Sequence, residues 1–170
     1  MRVVFLGKSN SGTLGYIANV FWVIWNCGIL AKKYETFNQN VDWTIIDPNP
    51  TPIENSKVKF IKGFFNEKSN FDLKGSTIVH SHTLEHIYDP ISFLKSISRK
   101  VDQNTYQIFS VPNINEMIKR KYTNGLNFEH TYFLTEEFID FFLKSSGFEL
   151  IKKDYFLEDH SIFICAKKKW

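Results

Sequence analysis

Short apolar runs of strand length recur along the chain, each closed by a Gly, a Pro or a polar residue. Runs of this kind predict buried strands. They are RVVFLG (2–7), DWTIIDPNP (42–50), VKFIKGFF (58–65), STIVHSH (76–82) and TYQIFSVPN (105–113). Between Asp89 and Val101 the apolar residues recur at helical spacing instead, and Pro90 provides a helix-start signal. This pattern predicts a helix between two of the strands.

The last part of the chain predicts a helix followed by a hairpin. Thr135 is a candidate N-cap with acids in the first turn behind it, and Gly147 suits the position just past the helix end. Along this helix Phe138, Phe141 and Phe142 are expected on one side. The segments FELIKKDYF and SIFICAKKK then predict two strands joined by a short polar connection.

Buried strands that alternate with helices predict a parallel sheet with helices on both faces. The fold class is therefore α/β and Rossmann-like, with a mostly parallel sheet to whose edge the C-terminal hairpin adds one antiparallel strand. With 170 residues and no repeat or linker, residues 1–170 are expected to form a single domain. In such sheets ligands bind beyond the carboxyl ends of the strands.

Composition and charge exclude several classes of protein. A net charge of +3 and a pI near 8.7 are too mild for a nucleic-acid-binding protein. Cys27 and Cys165 have no CxxC spacing, which favours a reducing cytoplasm over a disulfide framework. Residues 14–31 carry no charge, but Asn19 and Asn26 interrupt them, so a buried helix or helix–strand pair is preferred to stable membrane insertion.

Three motifs in order resemble the class I S-adenosylmethionine-dependent methyltransferases, over roughly residues 41–170. They are IVHSHTLEHIYDPISFLKSI, IFSVPN and FEHTYFLTEEFIDFFLKSSGFELIKKDYF. The match is best with the bacterial branch that modifies sugars, quinone precursors and other small molecules. The resemblance implies S-adenosylmethionine as cofactor and a small-molecule acceptor as the binding partner.

The resemblance also implies cofactor-binding residues at three strand ends. Asp47 matches the acid that accepts hydrogen bonds from the ribose hydroxyls, and the alternative is a turn aspartate before Pro48. Phe64 and Phe65 stand where the family packs the adenine ring, and two core phenylalanines are the alternative. The backbone of residues 80–82, that is His80, Ser81 and His82, is expected beside the methionine end of the cofactor.

The glycine-rich first motif of the family is altered in this sequence. One candidate, residues 3–12, has Gly7 and Gly12 but lies too far before Asp47. The other, residues 23–34, places Gly28 nineteen residues before Asp47 and is favoured on spacing. Residues 1–30 are then an atypical entry segment, and Gly28 is the expected cofactor-binding glycine.

Three histidines and a glutamate fall together in SHTLEHIYDP and the residue pair before it. On a helix His82, Glu85 and His86 would share one face. They resemble the ExxEH of quinone-precursor and small-RNA 2′-O-methyltransferases, whose residues bind a divalent metal. Three roles remain open: a structural one, a general base among His82, His86 and His130, and a divalent-metal site.

The expected function is S-adenosylmethionine-dependent methyl transfer to a small molecule. A carbohydrate or nucleotide-sugar of surface glycan biosynthesis is the favoured acceptor, and the expected location is cytoplasmic. Two alternatives come from other classes. One is a methyltransferase-fold protein with weak or no catalysis that acts as a binding or regulatory partner. The other is a metal-dependent hydrolase, for which HxxEH is the sole support. The sequence does not set the oligomeric state.

Overall fold

The computed structural model describes residues 20–24, 29–36, 42–52, 54, 56–65, 68–123, 129–156 and 160–169, and the side chains of all of these except 20–24, 29–30 and 156. The described elements are β1 (Val20–Ile24), α1 (Ile29–Glu35), β2 (Asp42–Asp47), β3 (Lys59–Lys62), β4 (Thr77–Ser81), a 3₁₀ turn (Leu84–His86), α2 (Pro90–Ser98), β5 (Tyr106–Pro112), α3 (Ile114–Lys119), α4 (Glu136–Ser145), β6 (Phe148–Phe156) and β7 (Ser161–Lys168).

The seven strands form one sheet in the order β3-β2-β1-β4-β5-β7-β6. Strands β1 to β5 pair in parallel, and β7 runs antiparallel to both β5 and β6. The α/β class and the mostly parallel sheet are confirmed. The expected place of the antiparallel strand was wrong, because β7 lies inside the sheet and β6 forms the edge. A short connection forces β6 and β7 to pair antiparallel, and β7 also pairs with β5 from Ser161 to Lys167.

Helices cover both faces of the sheet. On one face α2 and α4 pack on alternate residues of β4, β5 and β7, including Ile78, Phe109 and Ile164. On the other face Ala31 of α1 packs on Trp43 and Val79. The neighbours Ile78 and Val79 point to opposite faces, as the two-residue period of a strand requires. Both faces of the central strands are therefore buried, which explains why their apolar residues do not alternate with exposed polar ones.

Strand β1 lies at the centre of the sheet, between β2 and β4. It falls inside the uncharged segment 14–31 and is the strand of the second glycine-motif candidate. The glycines of both candidates, Gly7, Gly12 and Gly28, lie outside the described residues, as does the run 2–7. Across the described part of the chain, no helix combines the length and apolar character needed to cross a membrane.

Helix α4 buries only one of the three phenylalanines that were expected on one side of it. Ile139, Phe142 and Leu143 are buried, whereas Phe138 and Phe141 are more than half exposed. The buried residues are spaced i, i+3 and i+4, so they form the stripe that contacts the core. The helix begins after Thr135 as predicted, although the Thr135 side chain makes no capping hydrogen bond.

One residue marks the C-terminal end of α4, and another marks the start of α3. Gly147 follows α4 with a φ of +80°, a conformation that glycine adopts without strain. Helix α3 was not predicted. Asn113 caps it by accepting a hydrogen bond from the Glu116 N–H at 3.5 Å, and Ile114 and Met117 are buried.

Candidate functional site

The carboxyl ends of the parallel strands bring the predicted site residues to one edge of the sheet. Asp47 ends β2, Phe64 follows β3, and Ser81 ends β4. Because β7 is antiparallel to β5, its first residue, Ser161, lies at the same edge and pairs with Pro112. Strand order reverses at β1, the arrangement that opens a ligand crevice in such sheets.

Asp47 has one carboxylate oxygen in use inside the protein. Its Oδ1 accepts a hydrogen bond from the Asn49 N–H at 2.7 Å, and its backbone carbonyl accepts one from the Gly63 N–H at 2.9 Å. The turn role considered from the sequence is therefore present. The other carboxylate oxygen of Asp47, Oδ2, has no donor among the described residues. Asp47 can therefore bind a ribose and hold the turn at the same time.

The two phenylalanines after β3 differ in environment. Phe65 packs against Phe71 and Phe93, with ring centroids 6.4 and 6.0 Å away, and so joins the core. Phe64 is 69% exposed. Phe65 is thus a core residue, as the alternative interpretation of the sequence had it. Phe64 is the aromatic ring that remains accessible at the strand end.

The His80 side chain lies in the core and not at the edge. Its ring is fully buried, stacks on Phe109 with centroids 4.7 Å apart, and lies with Nε2 2.8 Å from the side-chain nitrogen of Gln107. Burial lowers the pKa of His80 to about 3. Only the backbone of His80 can therefore serve the cofactor, as the sequence-based assignment requires.

The turn after β4 is held by hydrogen bonds from β5. The Ser81 hydroxyl lies 2.7 Å from the Ser110 hydroxyl, and the His82 N–H donates to the Ser110 carbonyl at 2.8 Å. His82 has a φ of +49°, which is uncommon for a residue with a side chain and costs about 1–2 kcal/mol. Such strain is found where neighbouring contacts over-determine the backbone.

The expectation that His82, Glu85 and His86 share one face of a helix was wrong. The 3₁₀ turn Leu84–His86 contains two of them, His82 precedes it in the left-handed region, and α2 begins only at Pro90. Asp89 caps α2 and accepts a hydrogen bond from the Ser92 N–H at 2.9 Å. The cap and the proline fix the helix start beyond the histidines.

Glu85 is a buried acid, 1% exposed, at the centre of the site. Its Oε1 lies 3.3 Å from the Nδ1 of His82, an ion-pair distance. Neither carboxylate oxygen has a hydrogen bond of good geometry within the described residues. Its backbone carbonyl accepts from the N–H and hydroxyl of Thr131, which docks residues 129–132 on the turn. A buried carboxyl group with so few partners is costly unless another group binds it.

Two further histidines, His86 and His130, lie close to Glu85. The rings of His86 and His130 are 4.9 Å apart, and His86 Nδ1 lies 3.0 Å from the carbonyl of Glu129. Since a carbonyl only accepts, Nδ1 carries the proton and Nε2 carries the lone pair. One ligand atom from each of Glu85, His86 and His130 lies within 4.8 Å of the others. Among the predicted ligands His82 falls outside this cluster.

Two residues at the site were missed in the sequence. His160 and Ser161 lie at the start of β7, where His160 Nδ1 is 2.7 Å from the Ser161 hydroxyl. The same hydroxyl lies 3.1 Å from Nε2 of His82. In the sequence His160 stood in the connection of the hairpin, and its proximity to His82 arises from the pairing of β7 with β5. A polar His-Ser pair directly before an apolar strand was the available signal.

The chain belongs to the methyltransferase domain family, whose model matches residues 27–153. No curated protein sequence matches it.

Solved structures share the fold at low sequence identity. LepI in complex with SAM has a TM-score of 0.69 at 11% identity, covering 94% of this chain and 45% of that one. Human N-acetylserotonin methyltransferase in complex with SAM has a TM-score of 0.69 at 15% identity, covering 91% and 48%. The mitomycin 7-O-methyltransferase MmcR has a TM-score of 0.68 at 12% identity, covering 89% and 49%. The chain thus spans about half the length of these three proteins.

Proposed function

We propose that the protein is an S-adenosylmethionine-dependent methyltransferase that methylates a hydroxyl group of a small molecule. The observation that carries the proposal is the arrangement of Asp47, Phe64 and the strained turn at His82 along the carboxyl edge of a methyltransferase-family sheet. The three features stand at or just after the ends of β2, β3 and β4, so they share one edge of the sheet. A fold alone does not define a reaction, and the proposal therefore rests on these residues.

Each group has a role that its environment supports. Asp47 offers Oδ2 to the ribose hydroxyls, because Oδ1 is already held by the Asn49 N–H. Phe64 offers an exposed ring to the adenine. Ser81 and His82 present their backbone to the methionine end, where hydrogen bonds to Ser110 hold the turn rigid. Gly28 is proposed to allow the close approach of backbone and cofactor, as the sequence predicted. Orientation of two bound reactants is the main source of catalysis in such a site.

The acceptor is proposed to be a small molecule bound beside the histidines. The fold neighbours include proteins named as methyltransferases of mitomycin and of N-acetylserotonin. A carbohydrate or nucleotide-sugar stays our preferred class, supported by the resemblance of the three sequence motifs to the branch of the family that modifies sugars and other small molecules. A cytoplasmic location, supported by the two cysteines without CxxC spacing, is part of the same proposal.

A divalent cation at Glu85, His86 and His130 is a second feature of the proposed site. One carboxylate oxygen and two imidazole nitrogens suit a transition metal better than magnesium. The buried Glu85 carboxylate lacks well-formed hydrogen bonds among the described residues, and Nδ1–H of His86 is held by the Glu129 carbonyl, so the donor set fits. A bound cation would polarise the acceptor hydroxyl. Titrating tag-free protein with Mn²⁺ or Zn²⁺ tests this, and equal affinity in His130→Ala would contradict it.

Calorimetry with S-adenosylhomocysteine tests the cofactor site. Asp47→Asn is expected to weaken binding at least 10-fold, because an amide presents only one acceptor oxygen and no charge to the two ribose hydroxyls. Asp42→Asn, an exposed acid at the other end of β2, is the matched control and should bind normally. Unchanged binding in Asp47→Asn would refute the assignment of the ribose site.

The same titration separates the enzyme from a non-catalytic binding protein. Wild-type protein that binds no S-adenosylhomocysteine at millimolar concentration would contradict the methyltransferase proposal. Binding without transfer of a labelled methyl group to a panel of hydroxyl acceptors would favour the alternative of a binding or regulatory partner. The panel should contain UDP-glucose, glucose and catechol, so that sugars and aromatic hydroxyls are both represented.

A further inference from the structure

The outward side of helix α4 carries aromatic rings that the core does not enclose. Tyr132, Phe138 and Phe141 are 39%, 53% and 56% exposed. Their ring centroids lie 6.2, 6.1 and 6.0 Å from that of the buried Phe142. Because the three rings surround a single ring, they form one continuous surface, which we call the aromatic patch.

The aromatic patch is large for a surface that faces only water. An aromatic side chain has about 150–250 Å² of surface, so rings exposed to this extent leave about 100 Å² each. The three rings together therefore leave about 300 Å² of apolar surface accessible, and a patch of that size on a soluble protein is often functional. The patch thus indicates a contact with another apolar surface.

Two charged residues of opposite sign flank the patch along the helix. Glu137 stands four residues before Phe141, Lys144 stands three residues after it, and all three are exposed. This spacing places them in one line on the helix, opposite the stripe that is buried in the core. We call this line the outer stripe. In the described structure neither charge takes part in a salt bridge.

We propose that the aromatic patch and the outer stripe form the interface of a two-fold symmetric dimer, in which α4 packs antiparallel to α4 of a second copy of this chain. A two-fold interface brings the same surface of both copies together, so that surface must be complementary to itself. The dimer depends on neither cofactor nor acceptor, and it therefore goes beyond the proposed function.

The charges of the outer stripe are complementary to themselves in the antiparallel direction. The midpoint between Glu137 and Lys144 lies next to Phe141. A two-fold axis at this midpoint places the acid of each copy opposite the base of the other copy, and the two Phe141 rings meet between the two ion pairs. Parallel packing would instead place acid against acid and base against base, which costs free energy.

The area of the patch fits a reversible dimer. Two copies contribute about 600 Å² of ring surface. If this is the usual apolar share of about 57%, the whole interface covers about 1,000 Å². That value is at the lower end for specific protein–protein interfaces, where contacts form and separate readily. We therefore expect monomer and dimer to exchange as the protein concentration changes.

Sedimentation velocity between about 1 and 300 µM protein measures this equilibrium, and the wild type is expected to become dimeric within that range. Phe141→Ala should raise the dimer Kd at least 10-fold, because two rings leave the centre of the interface. Ile118→Ala removes an equally exposed apolar side chain from α3, outside the patch, and should leave the Kd unchanged. A wild type that stays monomeric, or Phe141→Ala with the wild-type Kd, would overturn the proposal.

Exchanging the two charges tests the antiparallel arrangement. Glu137→Lys alone and Lys144→Glu alone each convert both ion pairs into like-charge contacts, so each should raise the Kd about 10-fold, and more at low salt. The two substitutions combined restore opposite charges across the interface and should return the Kd to within about 3-fold of the wild type. Circular dichroism checks that α4 stays folded. If the combined variant dimerises no better than either single variant, the antiparallel pairing is wrong.

Discussion

Single polar residues in the apolar interior determine much of the local chemistry of this protein. The carboxyl group of Glu85 is buried beside the turn that follows β4, and the imidazole of His80 is enclosed by Phe93 and Phe109 in the core. Burial has made His80 a neutral residue whose pKa is lowered to about 3. These two residues lie five positions apart in the sequence, and opposite requirements follow from their surroundings: His80 must stay uncharged, whereas Glu85 needs a partner.

The buried imidazole predicts a pH dependence of stability. Below pH 6.5 the unfolded chain binds a proton at His80 that the folded protein does not bind until its pKa of about 3 is reached. The free energy of unfolding should therefore fall by about 1.4 kcal/mol per pH unit, or about 2 kcal/mol by pH 5. Urea unfolding at pH 7 and pH 5 measures this. His80→Gln should lose that part of the pH dependence, and the exposed His160→Gln should retain it.

At the scale of elements, caps and turns decide where the histidines lie. Asp89 and Pro90 start α2, so the preceding residues form a 3₁₀ turn and a left-handed residue instead of a further helical turn. This arrangement directs His82 toward Ser161 and His86 toward Glu129 and His130. On a regular helix both histidines would face the same way. The break between β4 and α2 therefore separates His82, which contacts Ser161, from His86, which contacts Glu129 and His130.

At the scale of the whole molecule, β7 joins the C-terminal part of the chain to the parallel strands. It pairs with β5 on one side and β6 on the other, and β6 has no other strand partner in the described structure. Ile162, Ile164 and Ala166 of β7 are buried in the larger core cluster. The strand also carries Ser161, with His160 just before it. The stability of the core and the position of His160 and Ser161 thus depend on the same strand.

Ile164→Ala is expected to destabilise the protein by about 2–5 kcal/mol, because it opens a cavity in the core between β5, β7 and the helices. Its neighbour Cys165 points to the other face of the sheet and is half-buried, so Cys165→Ser serves as the control and should cost about 1 kcal/mol or less. Urea unfolding followed by circular dichroism measures both. Equal effects of the two substitutions would contradict the assignment of the faces.

The predictions from sequence succeeded where local pattern and chain order were sufficient. The strands after residue 41, helix α2 and the terminal hairpin were all expected, because apolar periodicity and Pro or Gly signals are local. The face of α4 and the existence of α3 were not, since a run of phenylalanines does not show which of them meets the core. For the same reason, the sequence did not show which of Phe64 and Phe65 packs in the core.

The sequence by itself determined the α/β class, the motifs of the methyltransferase family, and the presence of Asp47 and the histidines at strand ends. Only the tertiary structure decided which of these residues meet. It separated His82 from His86, placed His80 in the core, and brought His160 and Ser161 to His82 across 79 residues of chain. The physical reason is that strand pairing between β5 and β7 sets these distances, and such pairing depends on the packing of the whole sheet. The local pattern of residues along the chain therefore does not show which side chains come into contact.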